Sequence, residues 1–216
     1  MRLKLLHFIL VIVIVTINFS CKSGNTNNAD TANSDTAVLK SDSTDEEVIS
    51  GGFIGIKNHS MMQKNNLDLK GDPDFDFASL MQIHHKNGLA IANEEIKYGS
   101  DTTMRNLAEK IKEGQENDLK ELQNFMDTNN PGQTNDSFLK EIKANLQKTK
   151  DETEKSSGMS GNFDKDFANL MLLHHRQGLD IAKIEIKYGK NPDMKKLAQN
   201  IVKHQDDEMK QLEAYK

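Results

Sequence analysis

From Phe77 onward, apolar and small residues recur at the spacing of one helix face. Phe77, Leu80, Met81, Gly88, Ile91 and Ala92 fall on one side, with His84 and Glu95 among them. Tyr98-Gly99 closes this pattern with a glycine suited to a left-handed cap. Asp101 then offers an N-cap, and Met104, Leu107, Ala108, Ile111, Gln115 and Leu122 form a second stripe. A turn of two or three residues between two such helices makes them antiparallel neighbours.

The same pattern returns ninety residues later. Asp74 to Phe125 aligns without a gap on Asp164 to Tyr215, with 24 identities over 52 positions. In the second copy Asn191-Pro192-Asp193 supplies a cap, a proline at the first helical position and an acidic first turn. Neither copy can bury its stripe alone, so the two are expected to pack together. The fold expected is all-α: a four-helix bundle of two repeated antiparallel hairpins, at 71–126 and 161–216. The connector at 127–160 opens on Asn130-Pro131-Gly132 and then carries Phe138, Leu139, Ile142 and Leu146 at helical spacing. It is expected to be partly helical and to add a fifth, weaker helix.

The first seventy residues read differently. Arg2 and Lys4 precede an apolar run from Leu5 to Phe19, too short to span a bilayer comfortably and laid out like an export signal. Cys21, the only cysteine, follows directly, and the arrangement resembles a bacterial lipoprotein signal. Residues 1–20 would then be removed and Cys21 lipidated. The expected location is the bacterial cell envelope, anchored to a membrane on its periplasmic or outer side. Residues 21–70, rich in Asn, Ser, Thr and Asp up to about Ser50, read as a flexible tether. Gly51 to Lys70 is ambiguous, and His59, Met61 and Met62 lie within it.

Composition narrows the chemistry. The 216 residues carry a formal charge of -5, and loss of residues 1–20 leaves 26 basic against 33 acidic residues, or -7. An acidic chain without a basic cluster is not built for nucleic acid. One cysteine excludes an internal disulfide, a multi-thiolate metal site and a Cys-x-x-Cys redox pair.

On a helical wheel His84, His85 and Met81 all fall in the packed sector, and His174, His175 and Met171 repeat them. A buried histidine calls for a hydrogen-bond partner or a metal. Met81 or Met171 alone reads more readily as core filler. Two copies of Met-x-x-His-His in matching register favour metal ligation. Imidazole with thioether and no thiolate suits Cu(I) among common metals, and methionine survives oxidising compartments where thiols do not.

Counting along the hairpins puts Gln115 level with His84, and Gln205, His204 and Met209 level with the second motif. The expected ligands are therefore Met81, His84, His85, Met171, His174 and His175. His204 and Met209 stand second in rank, and Gln115 and Gln205 would orient the imidazoles. Glu95 and Glu185 lie about 16 Å from the histidines along the helix and are expected to pair with a lysine or a tyrosine hydroxyl. Gly88 and Gly178 each cost ~1 kcal/mol against alanine inside a helix, which suggests close helix approach or space beside the histidines. A di-iron centre would call for Glu-x-x-His pairs, and none occurs, so enzymatic redox activity is not expected.

At Asp76, Phe77, Met81, His84, His85, Ala92, Leu107, Ala108, Gln115 and Asp118 the chain resembles the DUF305 family. Asp166, Phe167, Met171, His174, His175, Ala182, Leu197, Ala198, Gln205 and Glu208 repeat the resemblance. It implies a ferritin-like four-helix bundle exported in bacteria, with some members linked to copper binding and copper tolerance. Members often carry a further methionine where this chain has Asn93 and Lys183. The functional reading is a lipid-anchored envelope protein that holds Cu(I) for buffering, delivery or tolerance. The alternative is a metal-free helical module that binds another envelope protein.

Overall fold

The computed structural model describes residues 52, 53, 55, 56, 67–156 and 158–215, all within one compact unit spanning 40–216. The proposed signal at 1–20, Cys21, and the stretch with His59, Met61 and Met62 lie outside the described residues.

Among the described residues five long helices follow in order: α1 Pro73–Tyr98, α2 Thr102–Thr128, α3 Asp136–Lys155, α4 Phe163–Tyr188 and α5 Pro192–Glu213. Each begins on a side-chain cap. Asp72, Asp101, Asn135, Asn162 and Asn191 accept from the first-turn amides, and proline opens α1 and α5. α1 pairs with α2, α4 with α5, and α1 with α4 across the repeats, while α3 packs on α4. The result is the expected all-α bundle of two hairpins, with the connector supplying the fifth helix. Phe138 and Ile142 seat α3 in the core, and Thr149 and Thr153 continue its buried stripe.

Because α1 and α4 run antiparallel, the apolar core falls into two clusters. One gathers Phe77, Met81, Leu122, Phe138, Ile142, Ile181 and Leu197 around the start of α1 and the end of α4, with α2, α3 and α5 contributing. The other gathers Ile91, Leu107, Ile111, Phe167, Met171, Leu172 and Leu212, from the opposite ends. Between them lies a polar layer containing all four motif histidines.

Two expectations are corrected. Within the stretch read as tether, Phe53 and Ile56 are buried against the second cluster, and Leu67 and Leu69 pack against the first. Their apolar area offsets the ordering entropy that the preceding polar residues cannot offset. Gly99 and Gly189 are not left-handed, with φ near -61° and -59°. Glycine is needed there because the Glu95 or Glu185 carboxyl lies over its Cα, where a Cβ would collide with it.

Among the described residues those glutamates hydrogen-bond neither a lysine nor a tyrosine. Asp164, from the first turn of α4, accepts from Ser100 N (2.8 Å), Ser100 Oγ (2.6 Å) and Asp101 N (2.9 Å), clasping the α1–α2 turn. Asp74, from the first turn of α1, accepts from Lys190 N (3.0 Å) and Asn191 N (2.8 Å), clasping the α4–α5 turn. Buried Glu95 sits beside Asp164, and buried Glu185 beside Asp74. Burial first, and the adjacent aspartate second, push the Glu95 carboxyl up to about 8 and Glu185 up to about 9. Burial alone would also raise Asp164, but the hydrogen bonds from Ser100 and Asp101 hold it below its ordinary range.

Candidate metal centre

The polar layer is built on the α1–α4 pair. His84 Nε2 lies 2.9 Å from the His174 carbonyl oxygen, and His174 Nε2 lies 2.8 Å from the His84 carbonyl oxygen. Their rings stack with centroids 3.7 Å apart. This reciprocal contact is what a pseudo-twofold axis through the pair requires. An imidazole N–H donating to a carbonyl from each side ties the two hairpins at mid-height.

Gly88 and Gly178 make room for that stack. A Cβ at Gly88 would stand 2.6 Å from His174 Cε1 and also strike Gln115, and one at Gly178 would stand 2.7 Å from His84 Cε1. Each repeat's glycine thus seats the other repeat's histidine.

His85 and His175 are wholly enclosed, with 0% exposure. Their centroids stand 5.9 Å and 5.8 Å from His84 and His174, so four imidazoles form a row through the layer. A carboxylate closes each end. Asp118 Oδ2 lies 3.0 Å from His85 Nε2. Glu208 Oε2 lies 2.9 Å from His175 Nε2, at ion-pair distance but outside hydrogen-bond alignment. The buried Nδ1 atoms of His85 and His175 have no hydrogen-bond partner among the described residues.

The remaining candidates are dispersed. Met81 and Met171 are both fully buried, but they belong to opposite apolar clusters on either side of the layer. His204 is exposed on α5, because the buried stripe of Ile201, Gln205, Glu208 and Leu212 turns it away from the core. Met209 is half-buried at the edge of the second cluster. Gln115 touches the space of Gly88 and His174, yet neither of its polar side-chain atoms has a hydrogen-bond partner among the described residues. The groups that hydrogen-bond the histidines are therefore two carbonyls and Asp118, with Glu208 at ion-pair distance from His175 and no hydrogen bond from Gln115 to an imidazole. Asp118 and Glu208 lie 33 residues from the rings they meet. Their signal was an acid kept three residues after the glutamine in both repeats. Asn93 and Lys183, where related sequences often have methionine, are exposed.

Among the described residues no three His, Cys, Asp or Glu side chains converge as a metal cage would require. Two cavities of about 40 and 30 Å³ flank the layer, both lined by Asn87, His174 and Gln177, with His84 lining the smaller. Each is large enough for about one water-sized guest.

Comparison with known proteins places the chain. The family described as a domain of unknown function, DUF305, matches residues 28–126 and 74–216. The chain belongs to the DUF305 family. A crystal structure of a DUF305 fragment from Deinococcus radiodurans superposes with a TM-score of 0.50 at 19% identity, covering 66% of this chain and 94% of that one. A structure of CopM in a silver-bound form obtained by soaking superposes with a TM-score of 0.51 at 22% identity, covering 66% and 93%. These likenesses establish the helical fold. No curated protein matches the chain.

Proposed function

We propose that this DUF305 protein is a lipid-anchored component of the bacterial cell envelope that binds Cu(I), to buffer it or pass it on. The carrying observation is the row of four buried imidazoles, with an unpartnered ring nitrogen in His85 and in His175 and a buried thioether in the same helical turn of each repeat. Nitrogen and thioether donors without a cage of carboxylates or thiolates suit a soft monovalent ion of low coordination number. Silver, which the structural neighbour CopM carries, is such an ion. The ligands proposed are drawn from Met81, His84, His85, Met171, His174 and His175. Exposure of His204 removes it from the set, and Met209 is too peripheral to rank with these six. Export and anchoring rest on the apolar run before Cys21, and no enzymatic step is proposed.

Titration with Cu(I) against a coloured chelator tests the reading. The protein is expected to compete for the ion, and a Met81→Leu/His85→Ala/Met171→Leu/His175→Ala variant to lose that competition. Equal behaviour of the two proteins would refute it.

A second reading draws on a specific contact. The reciprocal His84–His174 bonds tie the hairpins without any metal, as a metal-free module docking to another envelope protein would need. On that reading His84→Ala lowers stability and no metal-dependent property exists to lose.

A further inference from the structure

The four motif histidines are not equivalent, and the difference assigns them separate tasks. His84 and His174 direct Nε2 at each other's backbone and stack face to face, which makes them the fastening between repeats. His85 and His175 instead approach a carboxylate through Nε2 and leave a buried Nδ1 without a partner. A carboxylate only accepts, so in the neutral His85 ring Nε2 carries the proton and Nδ1 presents its lone pair; in His175, where Glu208 stands at ion-pair distance, both ring nitrogens lack a hydrogen-bond partner among the described residues. Burying such a lone pair unsatisfied is costly, and its occurrence at the same place in both repeats points to an occupant. A histidine that donates one nitrogen to a carboxylate while the other faces a metal is the usual way in which ring orientation is fixed. Met81 and Met171 stand one turn earlier on the same helix faces, where residues four apart are neighbours.

We propose that each repeat holds its own soft metal ion through the Nδ1 atom of its second motif histidine, His85 or His175, with Asp118 and Glu208 as the positioning residues that fix the two rings. This rests on the Cu(I) reading above and deepens it: two separate sites related by the pseudo-twofold, one ion per repeat, and no ligation by His84 or His174. Met81 and Met171 fall in opposite clusters, which agrees with two sites rather than one shared between repeats.

The test uses Ag(I), a redox-inert stand-in for Cu(I), added to the full chain with ¹⁵N-labelled imidazoles. The Nδ1 resonances of His85 and His175 are expected to move, at two ions per chain, while those of His84 and His174 hold their positions. Asp118→Ala is expected to weaken one of the two sites by ~10–100-fold and leave the other, with Glu208→Ala doing the converse. Asp118→Glu, which copies the acid of the second repeat, is expected to restore the first site, a rescue that loss of packing would not show. Ag(I) binding that moves the His84 and His174 nitrogens instead, or that ignores both alanine variants, overturns this inference and leaves the metal-binding reading standing. No Ag(I) binding by the wild-type chain overturns both.

Discussion

Gly88 shows how much a single missing carbon decides. Its hydrogen faces the ring of His174 and the amide of Gln115, so alanine there gains ~1 kcal/mol of helix propensity and overfills the layer that ties the repeats. Overpacking costs typically ~1–3 kcal/mol, so Gly88→Ala is expected to be net destabilising in urea unfolding. Gly114, inside α2 with open space where a Cβ would stand, is the control: Gly114→Ala is expected to stabilise by ~0.5–1 kcal/mol. Similar shifts for both would show that the layer is loosely packed. The recurrence of Gly88 as Gly178 was legible in the sequence, as were the four inward histidines. What each glycine accommodates was not, because the ring it faces belongs to the other repeat.

At the scale of the helix, the apolar stripes and caps were readable because they are local: a 3.6-residue period, a capping side chain and a proline at the first position need no tertiary knowledge. The clasps between repeats were not. Asp74 and Asp164 look like ordinary first-turn acids, yet each holds the hairpin turn of the opposite repeat and lies beside a buried glutamate. This arrangement makes stability depend on pH. Glu95 faces Asp164, Asp101, Arg105 and Tyr215, and Glu185 faces Asp74, Asp72 and Lys195. Both glutamates stay protonated in the fold at neutral pH but ionise near 4.5 once unfolded, so folding takes up a proton at each. Their contribution is full below about pH 4.5 and declines as pH rises toward about 8 for Glu95 and about 9 for Glu185. The slope is at most ~1.4 kcal/mol per pH unit for each group. The thermal midpoint is therefore expected to fall between pH 5 and pH 9. In Glu95→Gln/Glu185→Gln, whose amides do not titrate, the fall is expected to flatten. Parallel curves for the two proteins would show that the pairs do not hold those protons.

The described bundle is built on two copies of one hairpin, related by a pseudo-twofold axis through the stacked histidines and crossed at mid-height by polar side chains, with α3 packed on the second copy. A bundle of this size could fill that layer with leucine, and burying polar groups there costs stability unless they are satisfied. His84 and His174 satisfy each other's repeat. His85 and His175 keep a buried ring nitrogen without a hydrogen-bond partner among the described residues, one helical turn from a buried methionine, which packing alone does not call for. The four hairpin helices and their antiparallel pairing followed from the repeat, and the fifth helix from the connector's own apolar spacing. Which histidines fasten and which stay open followed only from the register of α1 against α4, and that register is set by contacts no local pattern encodes. X-ray absorption at the copper edge of the Cu(I)-loaded protein tests the central claim most directly. The account predicts a centre of two to three ligands containing both nitrogen and sulfur scatterers, with the sulfur signal lost in Met81→Leu/Met171→Leu. A shell of oxygen and nitrogen alone, unchanged by that substitution, would place the ion on the acidic surface and contradict it.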